Sequence, residues 1–337
     1  MNVALWYDFR NPGPWRQAYA SLYSELLDQI EWVDDLGCFE SVWLSEHHFT
    51  EDGYLPAVTP MMAAIAQRTR RIRIGTQVLL APLHHPLRLA EEIAVVDQLS
   101  GGRVELGLAP GYRAHEFEVL GIPRQQRGSR TDETIELLLQ AWTGEPFSHH
   151  GRHFDFDDVI VTPPPSQSPH PPIWIGGSSV AAAQRAVRFG AAFLADQGTP
   201  PEAIDAFVQA QRQLTSNNLR PLGTNRMIYV CDDTEQGWQE IEPHLRYQEN
   251  VYEAWYRDEK PGPHDTPETM RERTPMSREV NIVGTPDEVV AEITRQHGDQ
   301  PFDLLTFWAR PPGLSISSSN RSIEMFAAEV EPRLSAL

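Results

Sequence analysis

Two of the adjacent histidine pairs in the chain, in Glu46-His47-His48-Phe49 and His84-His85-Pro86, follow expected strand ends and invite proton-transfer chemistry. Histidine is the side chain whose ordinary proton equilibrium lies near neutrality, so an imidazole held in an apolar pocket can act as general base or acid. Of two adjacent histidines, one is expected to face the pocket while the other packs. His47 is taken as the working one, with His84 and His85 shaping the loop before Pro86. Glu46 could orient an imidazole or pair with an arginine. Anion binding is a second kind of chemistry, suggested by Gly176-Gly177-Ser178-Ser179, which follows an apolar run and opens a helix. Free backbone N–H groups, hydroxyls and the positive end of a helix dipole converge at such a place. The same four residues equally fit a serine N-cap behind a tight glycine turn. Arg127 and Arg130 precede a helix expected over 131–142 and could serve the same anion or form surface ion pairs.

The elements that must position these groups are eight short β-branched or apolar runs: 3–7, 41–44, 72–79, 104–108, 173–175, 192–194, 227–231 and 304–308. Amphipathic stretches lie between them. Leu22, Leu26, Ile30 and Val33 recur at helical spacing before a capping Gly37, and Thr59-Pro60 and Thr285-Pro286-Asp287-Glu288 carry helix-start chemistry. Strand and helix alternating over the whole length predict a parallel sheet, and eight units favour closure into a single TIM (β/α)8 barrel spanning 1–337. Two segments depart from the repeat. Residues 149–161 read as a β-hairpin excursion, and 256–278, rich in proline and charge, as a lid-like insertion before the last strand. In such a barrel the site lies at the C-terminal ends of the strands, where the histidines and Gly176–Ser179 fall. Trp6, Tyr7, Phe9, Tyr112 and Trp308 are the aromatic candidates there, and Tyr7, Phe9 and Trp308 are the expected substrate-pocket residues.

Bulk properties narrow the partners. Asp plus Glu outnumber Lys plus Arg by 47 to 28, a net charge of −19 that repels phosphate backbones and anionic lipid surfaces. No apolar run approaches the roughly 20 residues of a membrane span, and Met1–Trp6 lacks a charged leader pattern, so a cytoplasmic protein is expected. Cys38 and Cys231 have neither the spacing nor the histidine neighbours of a zinc or disulfide framework, and no metal ligand set is expected. Neither a G-x-G-x-x-G fingerprint nor a Walker A motif follows any strand, which argues against a nicotinamide dehydrogenase and a P-loop enzyme.

Four segments taken together resemble the luciferase-like flavin-dependent monooxygenases: Ser41-Val42-Trp43-Leu44-Ser45-Glu46-His47-His48-Phe49, Gly75-Thr76-Gln77-Val78 with 82–86, Asp97-Gln98-Leu99-Ser100-Gly101-Gly102-Arg103, and Val283-Gly284-Thr285-Pro286. The resemblance implies that His47 is the catalytic histidine, and that Gln77-Val78 forms a non-proline cis peptide behind a flavin ring. It further implies that Ala109, Gly111 and Tyr112 line the flavin edge and that Gly177, Ser178 and Ser179 hold its phosphate with help from Arg130. Reduced FMN, supplied by a separate flavin reductase, would react with dioxygen to give a flavin hydroperoxide that oxygenates a small apolar aldehyde, ketone or similar substrate. The family likeness also implies a homodimer. Ala109 and Pro110 stand where the light-emitting catalytic subunit has cysteine and arginine, so light emission is not implied.

Three alternatives remain at this level. A deazaflavin could replace FMN and carry hydride transfer in the same fold. A metal-dependent barrel hydrolase could use His47, His48, His84 and His85, although the first strand ends in Tyr7-Asp8-Phe9 without the H-x-H pair such sites usually need. A flavin-binding module without turnover is the third, against which the presence of His47 speaks.

Overall fold

Buried apolar runs too short for helices, separated by amphipathic segments long enough to cross back, produce the expected barrel. In this computed structural model the described residues are 1–212, 220–257, 278, 280–297 and 302–334. In chain order the elements are β1 (Asn2–Tyr7), α1 (Tyr19–Leu36), β2 (Ser41–Leu44), α2 (Val58–Arg68), β3 (Arg73–Thr76), β4 (Leu79–Leu80), α3 (Pro86–Ser100) and β5 (Val104–Ala109). Then come α4 (Ala114–Val119), α5 (Arg127–Ala141), β6 (Phe147–His150), β7 (Asp155–Val159), β8 (Ile173–Gly176), α6 (Val180–Arg188), β9 (Ala192–Ala195) and α7 (Pro201–Gln211). The chain continues through β10 (Leu222–Arg226), β11 (Ile228–Val230), α8 (Thr234–Tyr256), β12 (Ile282–Gly284), α9 (Pro286–His297), β13 (Leu304–Trp308), α10 (Ile316–Met325) and α11 (Glu331–Leu334).

Eight parallel strands form the ring β3-β2-β1-β13-β10-β9-β8-β5, and pairing of β3 with β5 closes it. Period-two alternation along β1 sorts its side chains between two layers. Ala4 and Trp6 join Trp43, Trp174, Ala192, Leu194 and Leu304 inside the barrel, while Val3, Leu5 and Tyr7 pack outward among Leu22, Leu26, Ile30 and Val33 of α1. Glycines make room for the large indoles. A Cβ on Gly75 would stand 2.5 Å from the Trp43 ring, and one on Gly107 would collide with the Thr76 carbonyl oxygen. Trp43 is fully buried, which by area contributes about 4–6 kcal/mol of apolar stabilisation.

Four expectations need correction. The seventh barrel strand is β10, whose residues Leu-Gly-Thr-Asn-Arg look polar, whereas the more apolar run at 227–231 supplies β11, which leaves the barrel to pair with β12. The run 72–79 divides into β3 and the two-residue β4. The hairpin is present but formed by β6 and β7, starting at Phe147 and ending at Val159. Helix α2 begins at Val58, so Thr59 lies inside its first turn and bonds Glu92 instead of capping. Elsewhere the capping signals hold: Gly37 and Gly101 adopt left-handed conformations after α1 and α3, and Glu288 accepts the Thr285 N–H at 2.9 Å. Of the lid-like segment 256–278, residues 258–277 lie outside the described residues. No helix among the described residues is long and apolar enough to cross a membrane.

Candidate active site

All eight barrel strands run in one direction, so the loops after β1, β2, β3, β5, β8 and β13 open on one mouth. His47 and the Gly176–Ser179 turn therefore stand at the same end of the barrel. Behind Leu44 the chain turns inward, and His47 is buried at 6% exposure with its backbone N–H donating to Leu55 O. Its Nδ1 donates to Glu116 Oε1 at 2.9 Å, and the same oxygen accepts the His48 backbone N–H at 2.8 Å. Glu116, on α4, is wholly buried and has Arg113 at 3.7 Å. With Nδ1 committed to Glu116, Nε2 has no hydrogen-bond partner among the described residues. Aromatic rings surround this imidazole: Tyr54 and Trp255 at 4.8 Å, Tyr112 at 5.7 Å and Tyr252 at 6.2 Å between centroids.

The roof of the mouth is the C-terminal half of α8, tied down by a buried ion pair. Arg10 Nε donates to Asp52 Oδ2 at 2.5 Å, both side chains being at most 4% exposed, and Arg10 Nη1 also bonds Gln248 of α8. Tyr247 donates to Asp52 at 2.8 Å, and the Tyr54 and Tyr252 hydroxyls meet at 2.9 Å. Burial would raise the Asp52 carboxyl, but the Arg10 guanidinium and the Tyr247 hydroxyl hold it below the usual range. Asp8 goes the other way. Burial pushes it up to about 6, although Arg10 and the Trp308 indole N–H at 3.1 Å favour its anion.

Beside this lies a second cluster. Glu46 Oε1 accepts from His48 Nε2 at 2.8 Å and from His84 Nε2 at 2.7 Å, while its Oε2 takes the Leu80 N–H at 2.5 Å. Burial acts to raise Glu46, yet the two imidazoles outweigh it and hold the carboxyl near 2, and His84 is raised in return. Glu46 thus does orient imidazoles, but those of His48 and His84 instead of His47. His85 stacks edge-on against Phe154 at 5.6 Å, so the four histidines of the hydrolase alternative do not share one ligand set.

The expected cofactor residues are all distributed around the mouth. The Gln77–Val78 peptide is cis. A Cβ on Gly176 would collide with Val78, so β8 presses directly on that turn. Ala109 ends β5, Gly111 has φ of 72°, and Tyr112 stacks on Tyr256 at 4.7 Å. Gly177 has φ of 147°, Ser178 and Ser179 are exposed, and the Ser179 hydroxyl accepts Ala182 N–H as the N-cap of α6. Both readings of this turn are compatible with that arrangement: Ser179 caps, and Ser178 has no partner among the described residues. Arg130 reaches Pro82 O at 3.5 Å and lies over Phe154 at 4.9 Å.

The aromatic substrate candidates divide. Trp308 stacks on Trp6 at 4.0 Å inside the barrel, whereas Tyr7 and Phe9 belong to the layer between barrel and helices, Phe9 meeting Tyr23 at 5.7 Å. Sequence reading missed Glu116, Arg10, Asp52, Tyr54, Tyr252 and Trp255. Only the Arg10–Asp52 charges, each close behind a strand end, carried any signal.

A flavin fits what this mouth lacks. The Gln77 carboxamide has both polar atoms buried and unpartnered, as are the Tyr112 hydroxyl, Arg10 Nη2, Gln248 Nε2 and Glu116 Oε2. Buried polar atoms are almost always paired, so this concentration marks a polar ligand or ordered water. A carboxamide presents an NH2 donor group beside a carbonyl acceptor, the complement of the alternating C=O and N–H edge of a flavin pyrimidine ring.

Comparison with known proteins agrees. The family described as luciferase-like monooxygenase matches residues 1–299. A flavin-dependent trigonelline monooxygenase, oxygenase component, from Acinetobacter baylyi is 27% identical over 346 residues, covering 95% of this chain and 92% of the relative. An F420-dependent glucose-6-phosphate dehydrogenase from Nakamurella multipartita is 29% identical over 331 residues, 93% of each. The crystal structure of the monooxygenase RslO1 from Streptomyces bottropensis superposes with a TM-score of 0.84 at 26% identity, covering 99% of this chain and 100% of that one.

Proposed function

The chain belongs to the luciferase-like monooxygenase family, and from that premise we propose that it is the oxygenase component of a two-component system, taking reduced FMN from a separate reductase and oxygenating a small organic substrate. The observation that carries the reading is the His47 imidazole. It is buried in aromatic side chains, fixed through Nδ1 by Glu116, and has Nε2 open.

Reduced FMN, when bound, supplies the activation of dioxygen; the residues supply orientation, shielding and a proton path. Gln77 and Val78 would support the ring, Gln77 also offering its unpartnered carboxamide, with Ala109, Gly111 and Tyr112 along its edge. Gly177 and Ser178 would take the phosphate at the start of α6, with Arg130 as a cationic neighbour. Tyr54, Tyr252 and Trp255 exclude water from the imidazole, which suits a reaction that hydrolysis would waste. His47 Nε2 holds or releases the proton, while Glu116 keeps the ring in the tautomer that leaves Nε2 open. Trp6 and Trp308 offer an apolar floor for substrate. A relative named as an oxygenase component supports the need for a reductase.

Hydride transfer with a deazaflavin is the second reading, favoured by the F420-dependent relative. Titration with reduced FMN and with reduced deazaflavin, followed by stopped-flow mixing with oxygenated buffer, separates the two. The proposal expects tight binding of reduced FMN and an oxygen-dependent transient absorbing between the reduced and oxidised flavin bands. Binding of deazaflavin alone, with no such transient, would replace it by the second reading.

A further inference from the structure

We propose that Glu46, His48 and His84 form a binding site for one divalent metal ion of the zinc class on the rim of the barrel mouth. Two loops deliver the donors: Glu46 and His48 follow β2, and His84 follows β4. Both Nε2 atoms lie 2.7–2.8 Å from one carboxylate oxygen, and the three donor atoms sit within 4.8 Å of one another. Two imidazoles and a carboxylate are the protein ligands of many mononuclear sites that leave further positions to water.

Each imidazole nitrogen needs little movement relative to the carboxylate. Ligands about 2.1 Å from a shared ion stand about 3.0 Å apart at right angles and about 3.4 Å apart at tetrahedral corners. The present nitrogen–oxygen separations therefore widen by a few tenths of an ångström as the ion replaces the two shared protons. The ion takes the Nε2 lone pairs, so each bound imidazole carries its single proton on Nδ1, and neither Nδ1 has a partner among the described residues. Leu80 N–H holds Glu46 Oε2, so the carboxylate presents Oε1 alone, an outer contact of the kind that orients metal ligands. The imidazoles are 18% and 26% exposed, so water can reach the open positions. His47 is not a ligand, because Glu116 holds its Nδ1. The site is thus independent of the flavin reading.

Zinc chloride titrated into the purified protein, with a chromophoric chelator as competitor, tests this directly. One equivalent is expected to bind, and cobalt(II) in its place to show visible d–d absorption. His84→Ala and Glu46→Gln should each weaken zinc by at least about tenfold. His150→Ala, which removes an exposed imidazole flanked by Asp155 and Asp157, should leave the tight equivalent intact. Circular dichroism checks that each variant is folded. Should His84→Ala not fold, Glu46→Gln and the cobalt spectrum of the unaltered protein decide. Failure of the unaltered protein to take up zinc, or zinc binding that survives both His84→Ala and Glu46→Gln but falls with His150→Ala, overturns the proposal and leaves a purely hydrogen-bonded triad.

Discussion

Replacing Asp52 by asparagine should loosen the roof over His47 before it affects the barrel. Asp52 neutralises Arg10 at 2.5 Å in a site where both side chains are at most 4% exposed, so screening by solvent is slight. Removing one partner of such a pair leaves an uncompensated buried charge and costs about 3–5 kcal/mol. Asp8 remains, accepting the Arg10 backbone N–H at 3.2 Å, and offsets part of that, which places the expected loss at the lower end, about 3 kcal/mol. The loss falls on α8, because Tyr247 bonds Asp52 and Gln248 bonds Arg10. A local loss of that size corresponds to about a hundredfold fall in hydrogen-exchange protection over residues 244–256, since 1.4 kcal/mol is a factor of ten. Exchange mass spectrometry and denaturant unfolding read the two effects separately. An unfolding free energy within about 1 kcal/mol of the unaltered protein, with unchanged exchange in α8, would refute the view that this pair pins the roof.

Other perturbations follow the same logic. His47→Asn should lower the rate of substrate oxidation by about 10²–10⁴-fold while leaving reduced-FMN affinity nearly intact, measured by single-turnover kinetics and flavin titration. Glu116→Gln should lower the same rate less, because an acceptor for His47 Nδ1–H survives without its charge. Glu46 has a folded-state value near 2 against an ordinary 4.5, so its stabilisation is present above about pH 4.5 and is lost as pH falls toward 2. Unfolding measured along that range should therefore slope downward by up to about 3 kcal/mol, and Glu46→Gln should flatten the slope. Gly107→Ala should destabilise by about 3 kcal/mol or more in denaturant, since its methyl meets the Thr76 carbonyl where β3 and β5 close the barrel.

Much of this architecture could be read from residue order. Seven of the eight barrel strands are apolar enough to stand out, and Gly37 and Thr285-Pro286-Asp287-Glu288 mark their helix ends by local chemistry that survives folding. The eighth, β10, escaped because Thr224 and Asn225 are polar, and the adjacent apolar run, β11, drew the assignment by hydrophobicity alone. Tyr7 was expected in the pocket although Trp6 holds the inward position, since strand alternation permits only one of two neighbours to face the axis; Phe9, beyond the end of β1 with φ of 57°, packs against Tyr23. The place of His47 at the barrel mouth was legible from the strand order, but its anchor was not. Glu116 lies 69 residues away and Gln248 lies 238 residues from Arg10, and no local pattern announces such pairings. The Ser178-Ser179 turn could be read as either cap or anion site, and Ser179 indeed caps α6.

Binding of a flavin across the C-terminal mouth is tested most directly by a crystal structure of the protein grown anaerobically with reduced FMN. The ring is expected against Gln77 and Val78, with one edge toward His47 Nε2 and the phosphate at the start of α6 within hydrogen-bonding distance of Ser178. A phosphate bound elsewhere, or a ring that leaves Gln77 and His47 untouched, would contradict that placement.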